Sequence, residues 1–187
     1  VNSYGHQPLG KWEATGFGDL ELGTMWNFYK VKDFGAMMSL GVIAPTGKED
    51  NEDILQDINF GDGQWGIFYE TGLGYQPYQF FSLDSWFRYT YQFKYEKNIR
   101  LPDSESFPIT SRKGNASIKR GNKLLMNLQG NAHLNDEWTT SLLYSWEYKS
   151  KDDFKSAFSD SDFILEKETS FQSHSLRLNI NFSTVSL

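Results

Sequence analysis

The sequence predicts an all-β fold: a transmembrane antiparallel up-and-down β-barrel, with seven strands visible as part of a larger even-stranded barrel. Three observations predict it. Apolar and polar residues alternate with a period of two along seven segments, as in strands with two unlike faces. Most of those segments reach or exceed the ~9–11 residues with which a tilted strand crosses a bilayer, well above the ~5–6 usual in soluble sheets. The connections alternate between short breaks and long polar stretches, a pattern of tight turns at one rim and long loops at the other.

The first strand is read at 18–30. Leu20, Leu22, Thr24, Trp26 and Phe28 form one face, and Asp19, Glu21, Gly23, Met25, Asn27 and Tyr29 the other. After the break Val31-Lys32-Asp33, the second strand at 34–44 sets Phe34, Ala36, Met38, Leu40 and Val42 against Gly35, Met37, Ser39, Gly41 and Ile43. The third, at 64–76, sets Trp65, Ile67, Tyr69, Thr71, Leu73 and Tyr75 against Gly66, Phe68, Glu70, Gly72 and Gly74. A break at Pro77 leads to the fourth, at 80–94, where Phe81, Leu83, Phe87, Tyr89, Tyr91 and Phe93 oppose Asp84, Trp86, Arg88 and Gln92. The fifth, at 123–134, opposes Leu124, Met126, Leu128 and Ala132 to Asn127, Gln129, Asn131 and His133. Asn135-Asp136-Glu137 turns it into the sixth, at 138–148, with Trp138, Leu142, Tyr144, Trp146 and Tyr148 against Ser141, Leu143, Ser145 and Glu147. The seventh, at 173–182, sets His174, Leu176, Leu178, Ile180 and Phe182 against Ser175, Arg177, Asn179 and Asn181.

No Asp, Glu, Lys or Arg falls on the apolar face of any strand, although 22% of the chain is charged. A soluble barrel or sandwich would turn that face inward; a membrane barrel turns it to lipid and lines its interior with the charges. Ring placement favours the membrane. Trp26, Phe28, Tyr75, Trp138 and Phe182 lie toward the short breaks, and Trp65, Tyr91 and Trp146 toward the long ones. Two aromatic girdles at the membrane–water interfaces are expected of them. The odd strand count, and the cost of an open edge in lipid, lead us to expect a further strand outside residues 1–187, in a barrel of about 10–12 strands. The chain is read as a single barrel domain. Residues 1–16, with Trp12, are expected at the outer rim and 183–187 as a turn leading onward.

Composition excludes several classes. Aromatic residues make up 17% of the chain, yet mean hydropathy is −0.57. Disordered chains lack such rings, and no run of ~18 apolar residues exists for a membrane helix. The net charge of −6 argues against nucleic acid as a partner. The absence of Cys excludes disulfides, thiol nucleophiles and Cys-ligated zinc.

Three short motifs follow one another: 16-GFGDLELG-23, 41-GVIAPTGK-48 and 61-GDGQWGIFYETGLGY-75. This series, over about residues 16–92, resembles the Gram-negative outer-membrane family named for the meta-pathway of phenol degradation. The resemblance rests on Gly16, Gly18 and Asp19, on Pro45, Thr46 and Gly47, and on Gly61, Gly63, Gly66, Gly72 and Gly74. It implies a transport protein of the bacterial outer membrane; the family's name records uptake of aromatic compounds, and the solute of this chain is left open.

No enzyme is expected, because no nucleophile elbow, phosphate loop or zinc-protease motif is present. His6, His133 and His174 are far apart, and His174 and Ser175 point to opposite faces. Neither a cofactor nor a metal is expected; the acidic loop 48–57 lacks calcium-loop spacing. The lumen should instead be lined by Glu21, Glu70, Asp84, Arg88, Asn127, Gln129, Glu147, Arg177 and Asn179. Opposed charges and amides suit a wetted path for small solutes. The same groups could plug a small bore, which would make the chain a structural or partner-binding barrel. A soluble ligand-binding barrel is the remaining alternative. Expected partners are outer-membrane lipid and lipopolysaccharide, a small solute, and an envelope protein. The basic end of the loop 97–123, with Arg112, Lys113, Lys119, Arg120 and Lys123, could meet sugar phosphates.

Overall fold

The computed structural model describes residues 4–8, 10–11, 13–107, 109–135 and 137–182. Trp12, Asp136 and residues 183–187, each given a role above, lie outside the described residues. The elements in chain order are β1 (Leu20–Val31), β2 (Phe34–Ala44), β3 (Gly66–Tyr78), β4 (Phe81–Gln92), β5 (Tyr95–Arg100), β6 (Lys113–Lys119), β7 (Lys123–His133), β8 (Trp138–Lys149), β9 (Asp153–Lys155), α1 (Ser159–Glu166) and β10 (Phe171–Phe182).

The seven long strands form one antiparallel sheet in the order β1-β2-β3-β4-β7-β8-β10. Each is bonded to the next long strand along the chain, which is the up-and-down order the alternating connections require. Among the described residues the sheet is open, with β1 and β10 each paired on one side. The registers keep the two faces in phase. Leu22, Val42, Ile67 and Tyr91 stand opposite one another across β1 to β4. Ser39, Glu70, Arg88 and Leu125 do the same on the other face. A slip by one residue anywhere would exchange the faces.

Two such slips occur, both near short turns. In β1 the register shifts between Asn27 and Tyr29. Phe28, expected beside Trp26 on the apolar face, is the extra residue of this bulge. Tyr29, expected on the polar face, stands opposite Ala36 and meets the Phe34 ring edge-on at 5.8 Å. A bulge reverses the phase beyond it, which strict alternation cannot anticipate. In β3 the shift lies between Tyr75 and Tyr78. It accommodates Pro77, which has no N–H for a ladder, and carries the strand past the expected break to a turn at 79–80.

Exposure decides which way the faces look. Leu22, Leu40, Leu128 and Leu178 on the apolar face are 61%, 45%, 42% and 64% exposed. The Arg88 and Glu70 side chains opposite are 20% and 14% exposed. The apolar residues therefore do not form a dry centre, and Glu70 and Arg88 do not stand in the open.

The segments read as long loops hold four elements that alternation did not reveal. Strands β5, β6 and β9 form a small second sheet in that order, and α1 packs against β9. Its core is Ala116, Ile118 and Phe154, with Tyr95, Ile99 and Leu165 packed on them. Asp160 and Asp162 in the first turn of α1 suit the positive end of the helix dipole. Arg112 ties the unit together: it donates to the carbonyls of Leu101 and Pro102 and to the Asp160 carboxylate at 3.0 Å. Among the described residues no helix is long and apolar enough to cross a membrane.

Candidate functional site

The polar face of β1 to β4 is concave, and one observation measures the curl. Strands β1 and β4 are three strand spacings apart, about 14 Å along the sheet. Yet Arg88 of β4 donates to both oxygens of Glu21 of β1 at 2.8 Å. The same guanidinium donates to Glu70 of β3 at 3.1 Å and to Thr90 Oγ1 at 3.3 Å. Its carbon lies 4.3 Å from the centre of the Phe68 ring, a cation–π contact on the strand between.

Glycine makes room for that ring. A Cβ on Gly41 would stand 2.2 Å from the tip of Phe68 and 2.5 Å from the Leu22 carbonyl oxygen, and one on Gly23 would stand 2.9 Å from the same ring. The missing side chains of β1 and β2 thus form a floor on which Phe68 lies beneath Arg88. Phe68 and Trp86, rings on the polar face, take part in a site read only from its charges and amides. Their sequence signal is the pairing of a ring with glycines on the facing strands.

The three short motifs meet at the long-connection end of the same strands. Asp19 accepts N–H bonds from Gly47 at 2.9 Å and from Asp62 at 2.8 Å. Thr46 Oγ1 accepts from the Leu20 N–H at 2.9 Å and donates to the Gly18 carbonyl at 3.4 Å. Gly47 and Gly61 approach so closely that a Cβ on either would lie within 2.8 Å of the other's Cα. The segment before β1 and both ends of the β2–β3 connection are thereby knotted together. Asp19, read as a residue of the polar face, is held in this knot.

Other polar groups continue the network. Gln64 is buried and donates to Gln92 at 2.7 Å; Gln92 donates to Asp62 at 3.3 Å, and Asp62 pairs with Lys123 at 3.5 Å. A hollow of about 420 Å³ lies here, bordered by Glu21, Trp86, Arg88, Lys123 and Glu147 among others. Glu147 thus borders the same hollow as Arg88. Asp84 lies farther toward the short turns, where Asn131 donates to it at 2.8 Å and receives from Gln129 at 2.6 Å. Asn127 accepts from Ser145 at 2.6 Å, and Asn179 donates to Ser141 at 3.2 Å. Arg177 is not brought into the group: it stands on the edge strand β10 opposite Leu143, exposed and without an ion pair among the described residues.

The expected interface rings lie on the exposed side. Trp138 and Phe182 pack at 4.8 Å toward the short turns, and Trp146 stacks on Tyr148 at 6.3 Å toward the long connections. Tyr75 ends the regular part of β3, and Trp65 precedes β3 by one residue. Among the described residues no group of three or more His, Asp or Glu is arranged to hold a metal ion.

The long connections are fastened by charge. Arg100 donates to the carbonyls of Tyr4, Gly5, Glu52 and Thr110 and to the Asp53 carboxylate. Lys113, then Arg100, hold the Asp53 carboxyl below the ordinary carboxylate range. Arg112 does the same for Asp160, and Lys151 with the Phe154 N–H for Glu166. Burial, then the Arg100 charge, lower His6.

A curled antiparallel wall, apolar on its exposed face and polar on its concave face, defines an all-β antiparallel protein with two unlike faces. The chain belongs to the family described as "Putative MetA-pathway of phenol degradation", whose model matches residues 3–180. No curated protein matches it.

Proposed function

We propose that this chain forms the wall of an outer-membrane β-barrel channel for passive uptake of small solutes, aromatic ones among them, in Gram-negative bacteria. The observation that carries this reading is the division of faces. Exposed leucines occupy one side, while Arg88 with Glu21 and Glu70 occupies a concave opposite side. In a bilayer the first side meets acyl chains and the second lines an aqueous bore. The exposed rings then lie at the two interfaces, and the family's name supports an aromatic solute. The chain acts by letting solutes pass, with no chemistry of its own.

Planar-bilayer recording of the refolded full-length protein tests this: stepwise conductance, with phenol entry into loaded liposomes, is expected. A second reading has one observation in its favour. The polar groups at the long-connection end satisfy one another, from Gln64 and Gln92 to Asp62 and Lys123. Such a network suits a closed, non-conducting scaffold that binds an envelope partner. Silence in the bilayer, with stoichiometric co-purification of another protein, would select it. Protein that stays dispersed in buffer without detergent would exclude both readings in favour of a soluble ligand-binding barrel.

A further inference from the structure

We propose that the apolar face carries a site for one phosphorylated glycolipid of the outer leaflet, with an acyl chain lying across β2, β3 and β4 and its sugar phosphate held by Lys94 and Lys119. This rests on the outer-membrane reading above. A groove of about 370 Å³ crosses these strands, lined by Leu40, Val42, Ile67, Tyr69, Tyr89 and Tyr91. Two register rows build it: Leu40, Tyr69 and Tyr89 in one, Val42, Ile67 and Tyr91 in the next toward the long connections. It offers almost nothing polar, which suits a hydrocarbon chain and nothing smaller or wetter.

A cation caps the groove. Lys119 Nζ lies 4.7 Å from the centre of the Tyr91 ring, which Phe93 meets edge-on at 5.2 Å. Tyr95 pairs with Ile118, so Lys94 and Lys119 leave that ladder at the same end, one residue beyond the pair. Four other basic residues of this region are neutralised: Arg112 by Asp160, Lys113 by Asp53, Arg120 by Asp152 and Lys123 by Asp62. Lys94 and Lys119 have no carboxylate partner among the described residues, in a chain with net charge −6. Lys119 at the head of an apolar groove, with Lys94 one residue beyond the paired Tyr95 and Ile118 on the neighbouring strand, matches a lipid phosphate. A sugar phosphomonoester carries about two negative charges near neutral pH, so it matches the pair; a zwitterionic phospholipid brings one phosphate charge and an opposing amine.

Full-length protein in non-ionic detergent would be titrated with bis-phosphorylated lipid A, with dephosphorylated lipid A and with phosphatidylethanolamine, and bound lipid counted by native mass spectrometry. Bis-phosphorylated lipid A should bind about 10–30-fold more tightly than either control, and Lys94→Gln with Lys119→Gln should remove that preference. Val42→Trp, a change on the exposed face, should fill the groove and weaken both forms of lipid A alike. Equal binding of the two forms, or a preference that survives the double substitution, overturns the site. Heat-modifiable gel migration and detergent dependence, read on the same samples, report the membrane reading separately. Their loss overturns both ideas, whereas their retention without lipid preference overturns this one alone.

Discussion

Replacing Arg88 by Gln removes the one cation that Glu21 and Glu70 share. Two carboxylates are then left facing the bore of the proposed channel, and cation-over-anion permeability should rise several-fold. Reversal potentials across a salt gradient measure it; unchanged selectivity would place Arg88 off the solute path. Gly41→Val tests the floor beneath it. The new side chain collides with Phe68 and with the Leu22 carbonyl, so a loss of about 1–3 kcal/mol is expected in urea unfolding of detergent-folded protein. Phe68→Ala in the same chain should recover part of that loss. The sequence names Glu21, Glu70 and Arg88 as residues of one face, because period two assigns faces whatever the twist. That all three side chains meet is invisible there, because it depends on the curl of the sheet and on the room that Gly23 and Gly41 leave for Phe68.

At the scale of elements, Asp19→Ala leaves the Gly47 and Asp62 N–H groups without their acceptor. About 1–3 kcal/mol of stability should go with it, and proteolysis between residues 48 and 60 should quicken first. Acid should loosen the long connections in two stages. His6 is held below the ordinary imidazole value, so its neutral form belongs to the folded state. Its contribution is complete above roughly pH 6.5 and declines as pH falls toward its folded value. Asp53, Asp160 and Glu166 are held below the ordinary carboxylate range. Their contributions are present above roughly pH 4–4.5 and are lost as pH falls through the depressed values. Limited proteolysis of residues 95–122 from pH 7.5 down to pH 3 should show both stages; His6→Asn should abolish the first. Resistance that rose on acidification would contradict the signs. These connections are the least legible part of the sequence. Strands β5, β6 and β9 are short, and α1 has two turns, so none offers a period long enough to stand out. Their core of Ala116, Ile118 and Phe154 is assembled from two separate connections. The bulge at Phe28 is hidden for a related reason: one inserted residue changes the phase without changing the composition.

For the whole molecule, the seven-strand order and its faces follow from the alternation of strand phase and connection length, and these are plain in the sequence. Closure is another matter. The outward N–H and C=O groups of β1 and β10 have no ladder partner among the described residues, and such groups cannot remain bare in hydrocarbon. In the proposed membrane setting, amide exchange in β1 and β10 should therefore be as slow as in β3 and β4 when measured in lipid nanodiscs. Fast exchange confined to these two strands would argue against a closed ring.

The contact between Arg88 and Glu21 also has a mechanical side. A bent plank with a cord tied between two points on its hollow side keeps its bow only while the cord holds. Here the cord is one guanidinium, and the plank is four strands wide. Cutting it should flatten the wall locally, so in the proposed channel calibre and ion preference would both answer to the same side chain. Any attempt to retune one through Arg88 will shift the other.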